Sequence, residues 1–152
     1  MNLLLDTNVI IDYLGRQQPF YEDAERIIAI GYFGDASLWA PAQSFKDAFY
    51  VLSHYADPVR VQGAILALID VVKPIGLTGD DLAAAAKMKW NDLEDCLVAI
   101  GAGKAHADYL VTRDRKGFAR SSTPAISPAE LLERIRETDG ISYGAVEFEG
   151  NR

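Results

Sequence analysis

The sequence is short of the residues on which most enzymatic constellations are built. It has one cysteine, Cys96, and two histidines, His54 and His106, in 152 residues. A lone cysteine excludes an internal disulfide and argues against a cysteine-based zinc site. Its neighbours Leu97 and Val98 mark it as a small buried filler. Neither histidine has a second at ligand spacing, so both read as ordinary surface or core residues. No Gly-x-Ser-x-Gly elbow, Walker loop or dinucleotide glycine fingerprint is present. No apolar run approaches the roughly twenty residues that span a bilayer, and no basic segment precedes an apolar core at the N-terminus. A soluble cytoplasmic protein with no membrane contact is expected. Positive charge is scarce too: 22 acids against 15 Lys and Arg leave a net charge of −7. That is the opposite of the usual nucleic-acid footprint, although carboxylates that collect divalent cations reverse the sign of their own site.

What is present begins almost at the first residue, in Leu3-Leu4-Leu5-Asp6-Thr7-Asn8. A continuous apolar run reads as a strand covered on both faces, the pattern of a parallel sheet. Val9, Ile10, Ile11 and Leu14 follow at helical spacing. Ligands of open α/β sheets bind beyond the carboxyl ends of the strands, which is where Asp6 would sit. Pro19 breaks the pattern, and a helix resumes from Tyr21 to Ile30. Ser37 to Ala40 reads as a second strand, with Pro41 opening a helix from about Ala42 to Tyr55. Asp57 and Pro58 supply the N-cap and first position of the next helix. Val71-Val72 with Pro74-Ile75 forms a short edge strand, and Thr78-Gly79-Asp80-Asp81 leads into an alanine-rich helix through about Lys89. The helix from Cys96 to His106 is apolar on nearly every face and should be buried. Asp108 to Thr112 is a further strand, followed by a loop over Arg113 to Phe118. Ser127-Pro128-Ala129-Glu130 carries the N-cap, proline and capping-box glutamate of a final helix. From about Gly140 periodicity is lost, leaving either a tail or an added edge through Ile141, Tyr143, Val146 and Phe148. Strands alternating with helices in a chain of this size predict one α/β domain, three-layered α/β/α, with a central parallel sheet of about four or five strands.

The strand-then-acid pattern recurs at Asp114. Asp6 and Asp114 would follow strands at the same edge of the sheet, and Asp95 would sit in the first turn of the buried helix, so three carboxylates converge. Like charges raise one another's pKa, and desolvation adds to the cost unless a cation offsets both. Hard oxygen ligands suit Mg²⁺ or Mn²⁺ rather than zinc, and the chemistry this favours is phosphodiester hydrolysis without a covalent nucleophile. Plain structural readings stand beside these. Asp6 would also serve as an N-cap. Asp92, three residues before Asp95, is a complete cap in itself, which leaves Asp95 for the metal. Arg113, Arg115, Lys116 and Arg120 form the one concentrated basic segment. It is either a solvated loop or a phosphate contact that carries salt-sensitive, sequence-independent RNA affinity.

Three stretches taken together, Leu4-Leu5-Asp6-Thr7-Asn8-Val9-Ile10, Asp92-Leu93-Glu94-Asp95-Cys96-Leu97 and Leu110-Val111-Thr112-Arg113-Asp114, resemble a PIN domain, and most closely the VapC-type toxins of bacterial toxin–antitoxin pairs. The resemblance runs from the first residues to about Leu132, giving a PIN-like domain over 1–138 and a C-terminal tail or added edge over 139–152. It implies a metal-dependent endoribonuclease with four acids, acting on RNA with Mg²⁺ or Mn²⁺, inhibited by a cognate antitoxin and commonly a homodimer. Carried over by position, Asp6, Asp95 and Asp114 are the first, third and fourth acids and the metal ligands. Thr112, with Asn8 and Thr7, would orient the acids or a water. The second acid is usually a glutamate on the helix after strand two. The matching position, in Ser44-Phe45-Lys46-Asp47-Ala48-Phe49, holds the shorter Asp47, which would reach a metal through water. Asp47 also shares a stripe with Gln43, Lys46, Tyr50 and His54 that would equally suit a solvent face.

Other functions compete with this one. Aspartyl phosphotransfer of the haloacid-dehalogenase kind also begins with strand and Asp, but it uses Asp-x-Asp, and Asn8 stands in the second position. A catalytically impaired PIN scaffold that binds RNA or a protein partner follows from the departure at Asp47. The acidic surface also suits a basic peptide, such as an antitoxin segment inserting an arginine among the carboxylates.

Overall fold

The structure is a computed structural model that describes residues 1–143. Among them the chain forms β1 (Asn2–Leu5), α1 (Thr7–Leu14), α2 (Tyr21–Tyr32), β2 (Ser37–Pro41), α3 (Ala42–Leu52), α4 (Pro58–Ile69), β3 (Val72–Ile75), α5 (Gly79–Met88), α6 (Leu93–Lys104), β4 (Tyr109–Val111), a 3-10 turn (Lys116–Phe118), β5 (Ala125–Ile126) and α7 (Pro128–Asp139). The five strands make one sheet in the order β3-β2-β1-β4-β5, every neighbouring pair parallel.

The apolar run of β1 explains the layering. Side chains of a strand alternate between faces, and Leu3 and Leu5 join one core cluster with residues of α1, α2, α3 and α7. Leu4 points the other way, into a second cluster with Val98, Ala102, Leu110 and Phe118. All three leucines are fully buried, so the sheet has a helical layer on each side and the α/β/α expectation holds. Pro74, which cannot donate to a ladder, is accommodated because β3 is the edge strand.

Several boundaries differ from those read in the sequence. The helix after β2 stops at Leu52 because Tyr55 and Ala56 fold back to donate to the Leu52 carbonyl. The later apolar helix starts at Leu93, since the Asp92 side chain caps it, and ends at Lys104. His106 beyond it takes a left-handed φ of 50°. Nor is that helix buried all round. Cys96, Val98, Gly101 and Ala102 are buried, while Leu93, Gly103 and Lys104 are exposed, because the sheet, α5 and the 3-10 turn cover only part of its surface. Ile141 and Tyr143 pack against the first core cluster. Val146 and Phe148 lie outside the described residues. No helix among the described residues is long and apolar enough to cross a membrane.

Candidate active site

In this strand order the chain leaves β1 toward β2 and β3 and returns on the far side as β4, so β1 and β4 flank the switch point at which open parallel sheets form a crevice. Leu5 pairs with Val111, which sets Asp6 beside Thr112. Asp6 N–H donates to the Val111 carbonyl at 3.0 Å. Asp6 is only 6% exposed. Its Oδ2 accepts from Thr112 Oγ1 at 2.8 Å and its Oδ1 from Thr7 N–H at 2.7 Å. It is thus both the N-cap of α1 and an acid facing the crevice. Thr112 Oγ1 in turn accepts from Asp114 N–H at 3.0 Å, so one hydroxyl ties the first acid to the backbone of the fourth. Burial holds the Asp6 carboxyl above its ordinary range; Thr112 and Thr7 oppose that shift and the Asp114 charge adds to it.

The third acid arrives from the other helical layer. Asp92 caps α6 by accepting from Asp95 N–H at 3.0 Å, leaving the Asp95 carboxyl free to turn inward. A Cβ added to Gly117 would meet Asp114 Oδ2 at 2.6 Å and Asp95 Oδ2 at 2.8 Å, so the two carboxylates crowd a single point that only a glycine leaves open. Gly117 N–H also donates to Asp114 Oδ1 at 3.1 Å. Partial burial, followed by the charges of Asp92, Asp6, Asp114 and Glu94, pushes Asp95 up to about 6.

Asp47 is half-buried on α3 rather than solvated. Its carboxyl meets that of Glu94 in a hydrogen bond, and partial burial followed by Asp47 raises the Glu94 pKa. Lys46 Nζ lies 3.2 Å from Asp47 Oδ1. Glu94 escaped the sequence reading: it adjoins Asp95, but which way it turns depends on where α3 packs. Ser44 was missed as well. It is fully buried and its Oγ lies 2.8 Å from Thr7 Oγ1, linking α3 to the start of α1. Its position three residues before Asp47, on one helix face, is the signal that could have found it. Asn8 keeps its Oδ1 buried with no donor among the described residues.

The basic segment is more occupied than the sequence suggests. Arg113 Nε and Nη2 donate to Asp12 Oδ2 and Oδ1 at 2.7 and 3.3 Å, and its guanidinium stacks 4.0 Å from the Phe20 ring centroid. Asp12 is 2% exposed, and burial holds its pKa up against the pull of Arg113. A buried carboxylate needs a partner, which is why Arg113 is drawn to α1 instead of outward. Arg115 pairs with Glu130 at 2.8 Å on the exposed surface. Lys116 makes no ion pair among the described residues.

The donor set in the crevice is oxygen only, and neighbouring carboxylates add to the raised pKa values of Asp6 and Asp95, which fits a hard divalent cation better than zinc. As they stand, no three of His, Cys, Asp and Glu among the described residues are drawn in tightly enough to close on an ion.

A model of the PIN domain family matches residues 2–116. The fold is similar to that of VapBC2 from Rickettsia felis bound to a DNA fragment from their promoter, at 16% identity over 84% of this chain and 98% of that one, with a TM-score of 0.60. VapBC-1 from nontypeable Haemophilus influenzae matches at 19% identity over 85% and 99%, TM-score 0.61. A toxin–antitoxin complex from Klebsiella pneumoniae matches at 19% over 83% and 97%, TM-score 0.59. No curated protein matches the chain.

Proposed function

The chain belongs to the PIN domain family, and from that premise we propose that it is a Mg²⁺- or Mn²⁺-dependent endoribonuclease, the toxin of a toxin–antitoxin pair. What supports the reading is that the Asp114 and Asp95 carboxylates lie together beside Gly117, while Thr112 links Asp6 to the Asp114 backbone at the switch point of the sheet. Asp6, Asp95 and Asp114 would hold the ion. Bound there, it would polarise the phosphoryl oxygen and acidify water.

The chain's own residues do the rest. Thr112 fixes the Asp6 carboxylate and the Asp114 backbone relative to each other. Asp47 and Glu94 lie together on the α3 side of the crevice, where partial burial and the Asp47 charge raise the Glu94 pKa. Beside Asp47, Glu94 supplies the reach that Asp47 lacks compared with a glutamate. Lys116 and Arg115 contact the RNA backbone, while Arg113 positions the loop through Asp12.

The test is cleavage of mixed RNA with Mn²⁺, with chelator, and by Asp95→Asn. Cutting with Mn²⁺ alone, lost in chelator and lowered at least about 100-fold in the variant, is the expected result. Cutting that persists in chelator, or in Asp95→Asn, overturns it. The second reading, an impaired scaffold that binds RNA or protein without cutting, is favoured by the short Asp47 and predicts RNA binding with no Mn²⁺-dependent product. A basic antitoxin peptide and a homodimer complete the proposal. Its support is the toxin–antitoxin complex among the similar folds and the apolar side chains of Val59, Leu66, Leu82 and Met88 exposed on α4 and α5. Co-purification and light scattering test the two.

A further inference from the structure

Gly117 lies in the 3-10 turn, between acids carried by two different elements, and the backbone does not require a glycine there. The residues flanking the turn, Arg115 and Ala119, have φ of −63° and −57°, and the positive-φ glycines are Gly34 and Gly140. Any L residue adopts such a backbone, and alanine loses less conformational freedom in it than glycine does. Room for an apolar neighbour does not explain the residue either. Gly15 and Gly31 make space for Leu52 and Leu38, but among the described glycines only Gly117 would set a Cβ against carboxylate oxygens, Asp114 Oδ2 at 2.6 Å and Asp95 Oδ2 at 2.8 Å.

The turn is held too firmly to retreat. Phe118, the next residue, is 2% exposed, shares a core cluster with Leu4, Val98 and Leu110 and meets the Trp90 ring edge-on at 6.5 Å. Arg120 donates to the Met88 and Lys89 carbonyls at 2.8 and 3.2 Å, where Lys89 turns the chain out of α5 with a left-handed φ of 55°. The turn is therefore tied both to the core and to the segment that leads into α6 and Asp95. The backbone at Gly117 is fixed, whereas the ends of Asp95 and Asp114 can change rotamer. A methyl group at position 117 displaces the carboxylates and leaves the chain where it is.

We propose that Gly117 is a positioning residue of the crevice: the side chain it lacks lets Asp95 and Asp114 converge on one ion, in a turn that alanine would stabilise. The proposal rests on the divalent-ion reading of the acids. It separates two quantities, the stability of the fold in chelator and its affinity for the ion. The test compares Gly117→Ala with Gly103→Ala on α6, where an added Cβ meets nothing within 4 Å. Melting in chelator, and Mn²⁺ affinity read from the loss of the free-ion paramagnetic resonance signal, are measured on the full chain and both variants. Gly117→Ala should melt level with the parent or above it in chelator, yet bind Mn²⁺ at least about tenfold more weakly. Gly103→Ala should keep the parent's affinity. Parent affinity in Gly117→Ala, or an equal loss in both variants, overturns the role of Gly117 and leaves the ion reading standing. Melting of Gly117→Ala well below the parent in chelator also overturns it, because the glycine would then serve the fold. A parent chain that binds no Mn²⁺ overturns both.

Discussion

Asp95 concentrates the cost of the site in one side chain. Its pKa stands at about 6 against an ordinary 3.8, so between those values the folded chain binds more protons than the unfolded one. Stability from this group is therefore full below about pH 4 and falls as pH rises toward 6. Asp95→Asn removes the effect. In chelator the variant should melt level with the parent near pH 4 and above it at pH 7. The gap should be about 2–4 °C once solvent screening of a half-exposed group is allowed for. A gap that is constant with pH would show that neither burial nor the neighbouring charges raise Asp95. Buried Asp12 differs from Asp95 in having a cation, Arg113, hydrogen-bonded to it. Asp12→Asn leaves the guanidinium with a neutral partner, and the expected loss is about 2 kcal/mol. Because Arg113 lies between Thr112 and Asp114, RNA cleavage should fall about tenfold as well. Melting temperature and rate measured on the same preparation check it, and a rate unchanged in a destabilised variant would show that Arg113 does not position the loop.

At the scale of the element, the start of α6 serves two purposes. Asp92 caps the helix, and its charge is the largest of those raising Asp95. The two effects separate by substitution. Asp92→Ser keeps a capping oxygen but removes the charge, so Asp95 should titrate lower with the melting temperature held. Asp92→Ala also removes the charge and costs about 1 kcal/mol for the lost cap. Carboxyl titration followed by NMR, together with melting, reads both; equal melting of the two variants would mean that the cap contributes nothing. Local signals of this kind were legible in the sequence. Asp57, Asp92 and Ser127 all cap the helices that follow them, because capping needs only the residue and the three after it. The end of α3 was not legible, since the Leu52 carbonyl accepts from residues that could equally have continued the helix.

At the scale of the whole molecule, the parallel sheet could be read from Leu3, Leu4 and Leu5, because only a strand covered on both faces keeps three consecutive leucines dry. The convergence of Asp6 and Asp114 followed from that sheet. What escaped were the partners set by packing between distant elements, Glu94 against Asp47 and Arg113 against Asp12, for which spacing along the chain carries no signal. The fold brings its acids together at a cost in mutual repulsion, so an ion that binds only the native state should stabilise the entire domain. At Mn²⁺ a hundredfold above its dissociation constant the gain is about 2.7 kcal/mol, or about 5–10 °C in melting temperature for a chain of this size. The rise should vanish in Asp6→Asn and Asp95→Asn and persist, reduced, in Asp47→Asn. Should all three variants rise as far as the parent, the ion is being taken up by acids scattered over the surface, and the crevice between β1 and β4 is not its site.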